Sequence, residues 1–360
     1  MGMRRAFLGI VALALVLPVP AGVSAAPQVA ATAAQAVASG LDFPASMVFL
    51  PDGRLMYGER FTGEIRIRNL STNAETSFFT ISSIATAGEQ GLLGLAVHPQ
   101  YPSKPFVFAY ATRTVNGAPQ NQLIRIRAAN DVGTQMNVLI PIPASTNHNG
   151  GPLLLTGNRL HVLVGDVGNP ANSQNTAALP GKVLRVNLTG KAHPQNTLAN
   201  RTFSFGHRNM FGIAMDPQSN RVWVSENGPG CNDEMNPLVN GGNFAWGPTQ
   251  SCGSMTAPLD TNRDGPQPRL LPPWFNVATI APTGIAFCQG CGLDAATEGT
   301  LLMGAWNDGG IRRLTLDGAR TGVTASTIIY DHNQGVLAML RGPTGTIYFS
   351  DPDQIYKLVP

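Results

Sequence analysis

The sequence predicts an all-β protein, a six-bladed propeller whose blades are four-stranded antiparallel sheets. Three observations predict it. Only 12% of the 360 residues are charged, whereas Gly numbers 40 and Pro 28, a composition suited to tight turns and poor in amphipathic helices. A turn followed by an apolar strand recurs six times. Strands that alternate apolar and polar residues lie between several of these recurrences.

The chain opens on a targeting segment. Arg4 and Arg5 precede a short apolar run at 7–19, and Val-Ser-Ala at 23–25 is a small-residue cleavage site. Residues 1–26 are therefore read as a signal peptide. The run is too short to span a bilayer comfortably, and no other segment is apolar enough. The expectation is a secreted or periplasmic protein with no membrane span. An Ala-rich stretch makes 27–40 a flexible lead-in, and 41–360 is read as the single propeller domain.

The recurring units occupy 50–59, 98–110, 156–166, 216–226, 298–304 and 342–351. Most are about 45 to 60 residues apart, the period of a propeller blade, and the one longer gap carries Cys231 and Cys252. Their partners are visible at 64–67, 122–126, 182–186 and 311–316. The segment 354–358 serves either as the closing strand or as a partner of the first strand. Four cysteines in an exported chain fit two disulfides; three connectivities are open, and proximity favours Cys231–Cys252 and Cys288–Cys291. The CxxC spacing of the second pair also fits a redox or metal motif, but an oxidising compartment and the lack of a second CxxC favour a closed loop.

Composition and motifs exclude several functions. A formal charge of +3 without Lys/Arg runs disfavours nucleic acid and anionic membranes. No G-x-G-x-x-G follows a first strand, and there is no P-loop, no G-x-S-x-G elbow and no His-Glu-x-x-His.

Four stretches carry candidate chemistry. Residues 88–95 read Gly-Glu-Gln-Gly-Leu-Leu-Gly-Leu and place Glu89 before an apolar strand. At 147–151 the chain reads Asn-His-Asn-Gly-Gly. It then runs out through 153–155 and returns through 161–164 to Gly165-Asp166, so hairpin geometry brings a carboxylate back to His148. A histidine oriented by a carboxylate is a candidate general base; a turn histidine is the plain alternative. Residues 205–212 hold His207, Arg208 and Asn209 between apolar neighbours, and a buried guanidinium needs a partner or an anion. Residues 225–234 form an acidic turn in which backbone carbonyls, Asp233 and Glu234 offer hard oxygen ligands for Ca²⁺, without EF-hand spacing. A solvated acidic loop is the alternative.

Taken in this order, together with Gly-Gly-Asn-Phe-Ala-Trp-Gly at 241–247, these stretches resemble the soluble quinoprotein sugar dehydrogenases, which use pyrroloquinoline quinone (PQQ). The resemblance covers about 41–358 and implies a six-bladed propeller. It implies that His148 is the base taking the proton of a sugar's anomeric hydroxyl as hydride passes to PQQ, with Asp166 orienting it. It implies that Arg208 stabilises negative charge on the reduced cofactor. Glu89, His148, Arg208 and Asn209 would border PQQ, and the carbonyls of Gly228 and Pro229 would bind a bridging Ca²⁺. Asp233 and Glu234 resemble the acidic pair of a structural Ca²⁺ site. A small sugar or alcohol would be the substrate and an external acceptor would take the electrons.

The chain also departs from the pattern. Pro152 stands where the family often has Arg, and Gly-Val-Leu-Ala-Met at 335–339 replaces an Arg-x-Arg pair that holds PQQ carboxylates. No Lys occurs between Lys191 and Lys357 to supply the family's lysine contact. These losses keep two alternatives open: a non-catalytic propeller that binds sugar or protein, and a Ca²⁺-dependent hydrolase such as a lactonase using Glu89, Asp166 and Glu226. Trp274, Phe275 and Trp306 are candidate stacking surfaces for a sugar.

Overall fold

The computed structural model describes residues 32–249, 252 and 264–360. The signal peptide and its cleavage site lie outside the described residues. Strand β1 (Ala33–Ser39) comes first in the chain but belongs to the last blade. Blade one is β2 (Pro44–Phe49), β3 (Leu55–Glu59), β4 (Glu64–Arg68) and β5 (Glu75–Thr80). Blade two is β6 (Leu92–Val97), β7 (Phe106–Val115), β8 (Ala118–Ala129) and β9 (Val132–Pro143). Blade three is β10 (Leu153–Thr156), β11 (Arg159–Val164), β12 (Lys182–Val186) and β13 (Thr202–Phe205), with the short helix α1 (Ala171–Gln174) inserted before β12. Blade four is β14 (Met210–Met215), β15 (Val222–Glu226), β16 (Asp233–Pro237) and β17 (Trp274–Asn276). Blade five is β18 (Pro282–Phe287), β19 (Leu301–Ala305), β20 (Gly310–Leu316) and β21 (Val323–Asp331). Blade six is β22 (Met339–Arg341), β23 (Ile347–Ser350) and β24 (Gln354–Val359), completed by β1.

The six recurring units of the sequence supply the second strand of each blade. These strands are buried on both faces, which is why they read as apolar runs. In β3, Leu55 and Tyr57 face the blade-six side, and Met56, one residue out of phase, enters the cluster shared with blade two. The pattern repeats around the ring, so that six apolar clusters fill the seams between neighbouring blades. The first strands β2, β6, β10, β14, β18 and β22 line a central channel of about 220 Å³.

The lead-in expected at 27–40 requires a correction. Ala33–Ser39 is a strand, and it pairs antiparallel with β24 from Ala33↔Val359 to Ser39↔Gln354. The propeller therefore begins before residue 41. The segment 354–358, left open between two roles, joins the two ends of the chain. Small side chains hid β1 in the sequence, because Ala-Ala-Gln-Ala-Val-Ala-Ser has little β-branched or aromatic content. Both favoured disulfides are present, Cys231–Cys252 and Cys288–Cys291. With its sulfurs joined, the second pair offers no thiolate to a metal.

Candidate active site

The hairpin β10–β11 pairs Leu153 with Val162 and ends at Val164, so Gly165 and Asp166 return to the level of His148. The approach is close: a Cβ on Gly165 would sit 2.2 Å from the His148 carbonyl oxygen, so only glycine fits there. His148 Nδ1 lies 2.7 Å from Asp166 Oδ1. Asp166 is fully buried and its carboxylate is pinned by two further donors, Gly168 N at 2.8 Å to Oδ1 and Trp246 Nε1 at 2.8 Å to Oδ2. An ionised carboxylate held by donors on both oxygens keeps the histidine proton on Nδ1. Nε2 is then the basic nitrogen. It makes no hydrogen bond among the described residues, and the His148 side chain is 18% exposed.

His148 has a backbone φ of 57°, in the left-handed region. Its amide N donates to Glu89 Oε2 at 2.6 Å, and the same oxygen accepts Asn209 Nδ2 at 3.0 Å. Glu89 thus braces the histidine loop against the start of blade four. Arg208 is half-buried. Its amide donates to Glu226 Oε1, its Nη1 donates to the Asn227 carbonyl at 2.9 Å, and its guanidinium lies 5.5 Å from the centre of the Trp246 ring. Burial lowers its pKa, but an arginine keeps its charge. His207, the neighbour in sequence, serves packing: it is fully buried, stacks on Phe244, and places its ring nitrogens 2.9 Å from Glu226 Oε2 and 2.9 Å from Ser204 Oγ.

A small crevice beside Arg208 is lined by Glu226, Asn227, Gly228, Pro229, Asn232, Glu234 and Trp246. Burial, followed by the Glu226 carboxylate, pushes the Glu234 pKa well above the usual range. Asn227 Oδ1 is buried and has no partner among the described residues. The Glu234 side chain and an orphaned amide oxygen, in a crevice also lined by Gly228 and Pro229, form a hard-oxygen set that fits Ca²⁺. Asp233 is placed differently. Its carboxylate accepts three backbone amides, Gly228 N at 2.9 Å, Ile280 N at 2.7 Å and Ala281 N at 2.8 Å, and so fixes the loop that presents Gly228 and Pro229.

Where the inner strands begin, the channel opens into a cavity of about 300 Å³, a volume typical of small-molecule sites. Gly88, Glu89, Gly150, Pro152, Phe211 and Trp306 are among its lining residues, and Arg60 adds a cation. A guanidinium in a largely apolar cavity suits an anionic, planar organic ligand, so the residues present fit PQQ as well as Ca²⁺. Trp306 lies at this cavity, whereas Trp274 and Phe275 form β17, the outermost strand of blade four.

Sequence reasoning assigned no role to Trp246, Arg60 or Lys182. Lys182 is fully buried, and its ammonium donates to the carbonyls of Asn172 at 2.6 Å, Pro180 at 2.9 Å and Ser173 at 3.1 Å. It thereby ties down the loop whose Asn172 Nδ2 donates to the Asp166 carbonyl. Burial lowers the Lys182 pKa from 10.5 to about 7. Between these values the unfolded chain holds a proton that the folded chain has lost, so stability owed to this residue rises with pH across that window. In urea unfolding, the stability of the wild type relative to Lys182→Met is expected to grow from pH 7 to pH 9, by up to about 1.4 kcal/mol per pH unit. A pH-independent difference would contradict this.

A six-bladed propeller with a histidine–carboxylate pair at its channel mouth defines the class of protein, and comparison with known proteins gives the family. The family model for glucose/sorbosone dehydrogenases matches residues 41–359. Quinoprotein glucose dehydrogenase B of Acinetobacter calcoaceticus is 28% identical over 245 residues, which cover 58% of this chain and 51% of that enzyme. A solved Thermus thermophilus oxidoreductase, assigned as a glucose dehydrogenase, superposes with a TM-score of 0.79 at 28% identity, covering 91% of this chain and all of that one. The PQQ-bound aldose sugar dehydrogenase of Streptomyces coelicolor shares the fold, with a TM-score of 0.77 at 24% identity over 93% of this chain and 99% of that one. The chain belongs to the glucose/sorbosone dehydrogenase family, the group of soluble quinoprotein sugar dehydrogenases that its motifs resemble.

Proposed function

We propose that this chain is an exported oxidoreductase that oxidises a sugar, or a related alcohol, with PQQ and Ca²⁺ as cofactors and an external electron acceptor. The observation that carries this reading is the 2.7 Å contact of His148 Nδ1 with Asp166 Oδ1, which leaves Nε2 without a hydrogen bond among the described residues on a partly exposed side chain. Relatives named as quinoprotein and aldose sugar dehydrogenases support it.

PQQ, when bound, supplies the two-electron acceptor. His148 Nε2 takes the proton of the anomeric hydroxyl. Asp166, held by Gly168 and Trp246, keeps the ring in the basic tautomer and stabilises the imidazolium that forms. Arg208 holds a fixed positive charge where negative charge develops, without reorganising. Glu89 and Asn209 set the position of the histidine loop relative to Arg208. The carbonyls of Gly228 and Pro229, with Glu234 facing the same crevice, would hold Ca²⁺, and Asp233 fixes their loop from behind.

The hydrolase alternative needs Glu89, Asp166 and Glu226 to converge on one metal. Their ligand atoms do not lie within 4.8 Å of one another, and each carboxylate already accepts N–H donors. The test is reconstitution of the purified chain with PQQ and Ca²⁺, followed by dye-linked oxidation of a panel of aldoses and alcohols. Turnover that needs both cofactors is expected. Lactone hydrolysis without PQQ would favour the hydrolase, and sugar binding without turnover would favour a binding propeller.

A further inference from the structure

Arg60 is a half-buried cation with no counter-ion among the described residues. It follows the last residue of β3 and lines the 300 Å³ cavity. Its Nε donates to the Gln90 carbonyl at 2.9 Å and its Nη2 to the Gly88 carbonyl, while the Phe43 and Phe61 rings lie 4.8 and 4.7 Å from its central carbon. It forms no ion pair among the described residues, and Nη1 makes no hydrogen bond there. Burial outweighs the Glu89 carboxylate, which lines the same cavity without pairing with it, and lowers its pKa. A guanidinium kept partly dry and unneutralised is costly unless an anion completes it.

The blade-six side of the same cavity is apolar. Leu337 lines it, and Val336 is buried against Gly304. At Gly335 the Trp306 ring lies on the backbone, since a Cβ there would come within 2.3 Å of the ring. The stretch 335–339 thus has no cation to offer. Blade six adjoins blade one through the seam around Leu55, Tyr57 and Ile355, so Arg60 belongs to the neighbouring blade. The Phe43 ring links the two sides, 5.1 Å from Phe61 and 5.7 Å from Trp306. Phe43 is held at φ 54°, a conformation that bulky residues rarely adopt, by its amide on the Pro352 carbonyl and by the Arg60 amide on its own carbonyl. That strain is maintained where the ring packs against the arginine.

We propose that Arg60 is the carboxylate anchor of this cavity, binding a carboxylate of PQQ from blade one in place of the basic pair that blade six lacks. Phe43 and Trp306 form the apolar wall beside it. This rests on the function proposed above. It is tested by titrating the Ca²⁺-loaded chain with PQQ, following tryptophan fluorescence and equilibrium dialysis, neither of which depends on turnover. Arg60→Met is expected to weaken binding roughly 10- to 100-fold, the worth of one charge-assisted hydrogen bond. Arg60→Lys should lose less.

Because Arg60 also holds two loop carbonyls, a second variant separates anchoring from folding. Adding Leu337→Arg to Arg60→Met should recover at least part of the lost affinity by restoring a cation from the blade-six side. Wild-type affinity in Arg60→Met would overturn the anchor and leave the proposed function standing. Weakened binding that neither Arg60→Lys nor the added Leu337→Arg improves would show a purely structural role, and would also overturn it. No PQQ binding by the wild type would overturn both readings.

Discussion

Replacing His148 with Ala is expected to lower kcat of the reconstituted chain roughly 10²- to 10⁴-fold, the usual worth of a positioned general base. The thermal melt should move little, because the lost ring makes a single hydrogen bond within the described structure, to Asp166. Asp166→Asn is expected to fall in the same range for a different reason. Gly168 N and Trp246 Nε1 both demand an acceptor at this side chain, as does His148 Nδ1. An amide has one oxygen, so its NH₂ must face one of these donors. Facing the histidine, it would move the ring proton to Nε2 and abolish the base. Steady-state kinetics over a pH series checks both variants. Unchanged kcat in His148→Ala would remove the histidine from the mechanism.

Deletion of residues 32–39 is the second large effect. Strand β1 supplies the fourth strand of blade six, packs Ala38 against the seam with Leu55, Tyr57 and Ile355, and accepts Arg68 Nε at the Val37 carbonyl. Without it, β24 becomes an open edge and the covalent ends of the ring are no longer joined by a sheet. A loss on the order of 5 kcal/mol is expected from the forfeited backbone bonds, a large fraction of a typical domain's stability. Circular dichroism melts should show a lower and broader transition, with aggregation. A deletion that melts like the full chain would contradict closure through β1.

What the sequence made legible follows from where the physics is local. Second strands such as β3 were readable because both faces are buried, and third strands such as β4 because their burial alternates. The His148–Asp166 pair was readable because a short hairpin fixes its own register. Trp246 was not, since it reaches Asp166 across 80 residues, from the long connection inside blade four to the loop of blade three. Lys182 looked like an ordinary polar residue of a strand, and only the fold shows three carbonyls enclosing its ammonium. Arg60 sits in a turn of the first repeat, where nothing in sequence reveals that the ring brings blade six beside blade one.

The measurement that bears most directly on the whole account is an anaerobic titration. The purified chain is mixed with PQQ, with and without Ca²⁺, and an aldose is then added while the quinone absorbance is followed. Stoichiometric, Ca²⁺-dependent binding is expected, with loss of the oxidised-quinone band on adding sugar, slowed in His148→Ala. Failure to bind PQQ, or bound quinone that no sugar or alcohol reduces, would contradict it.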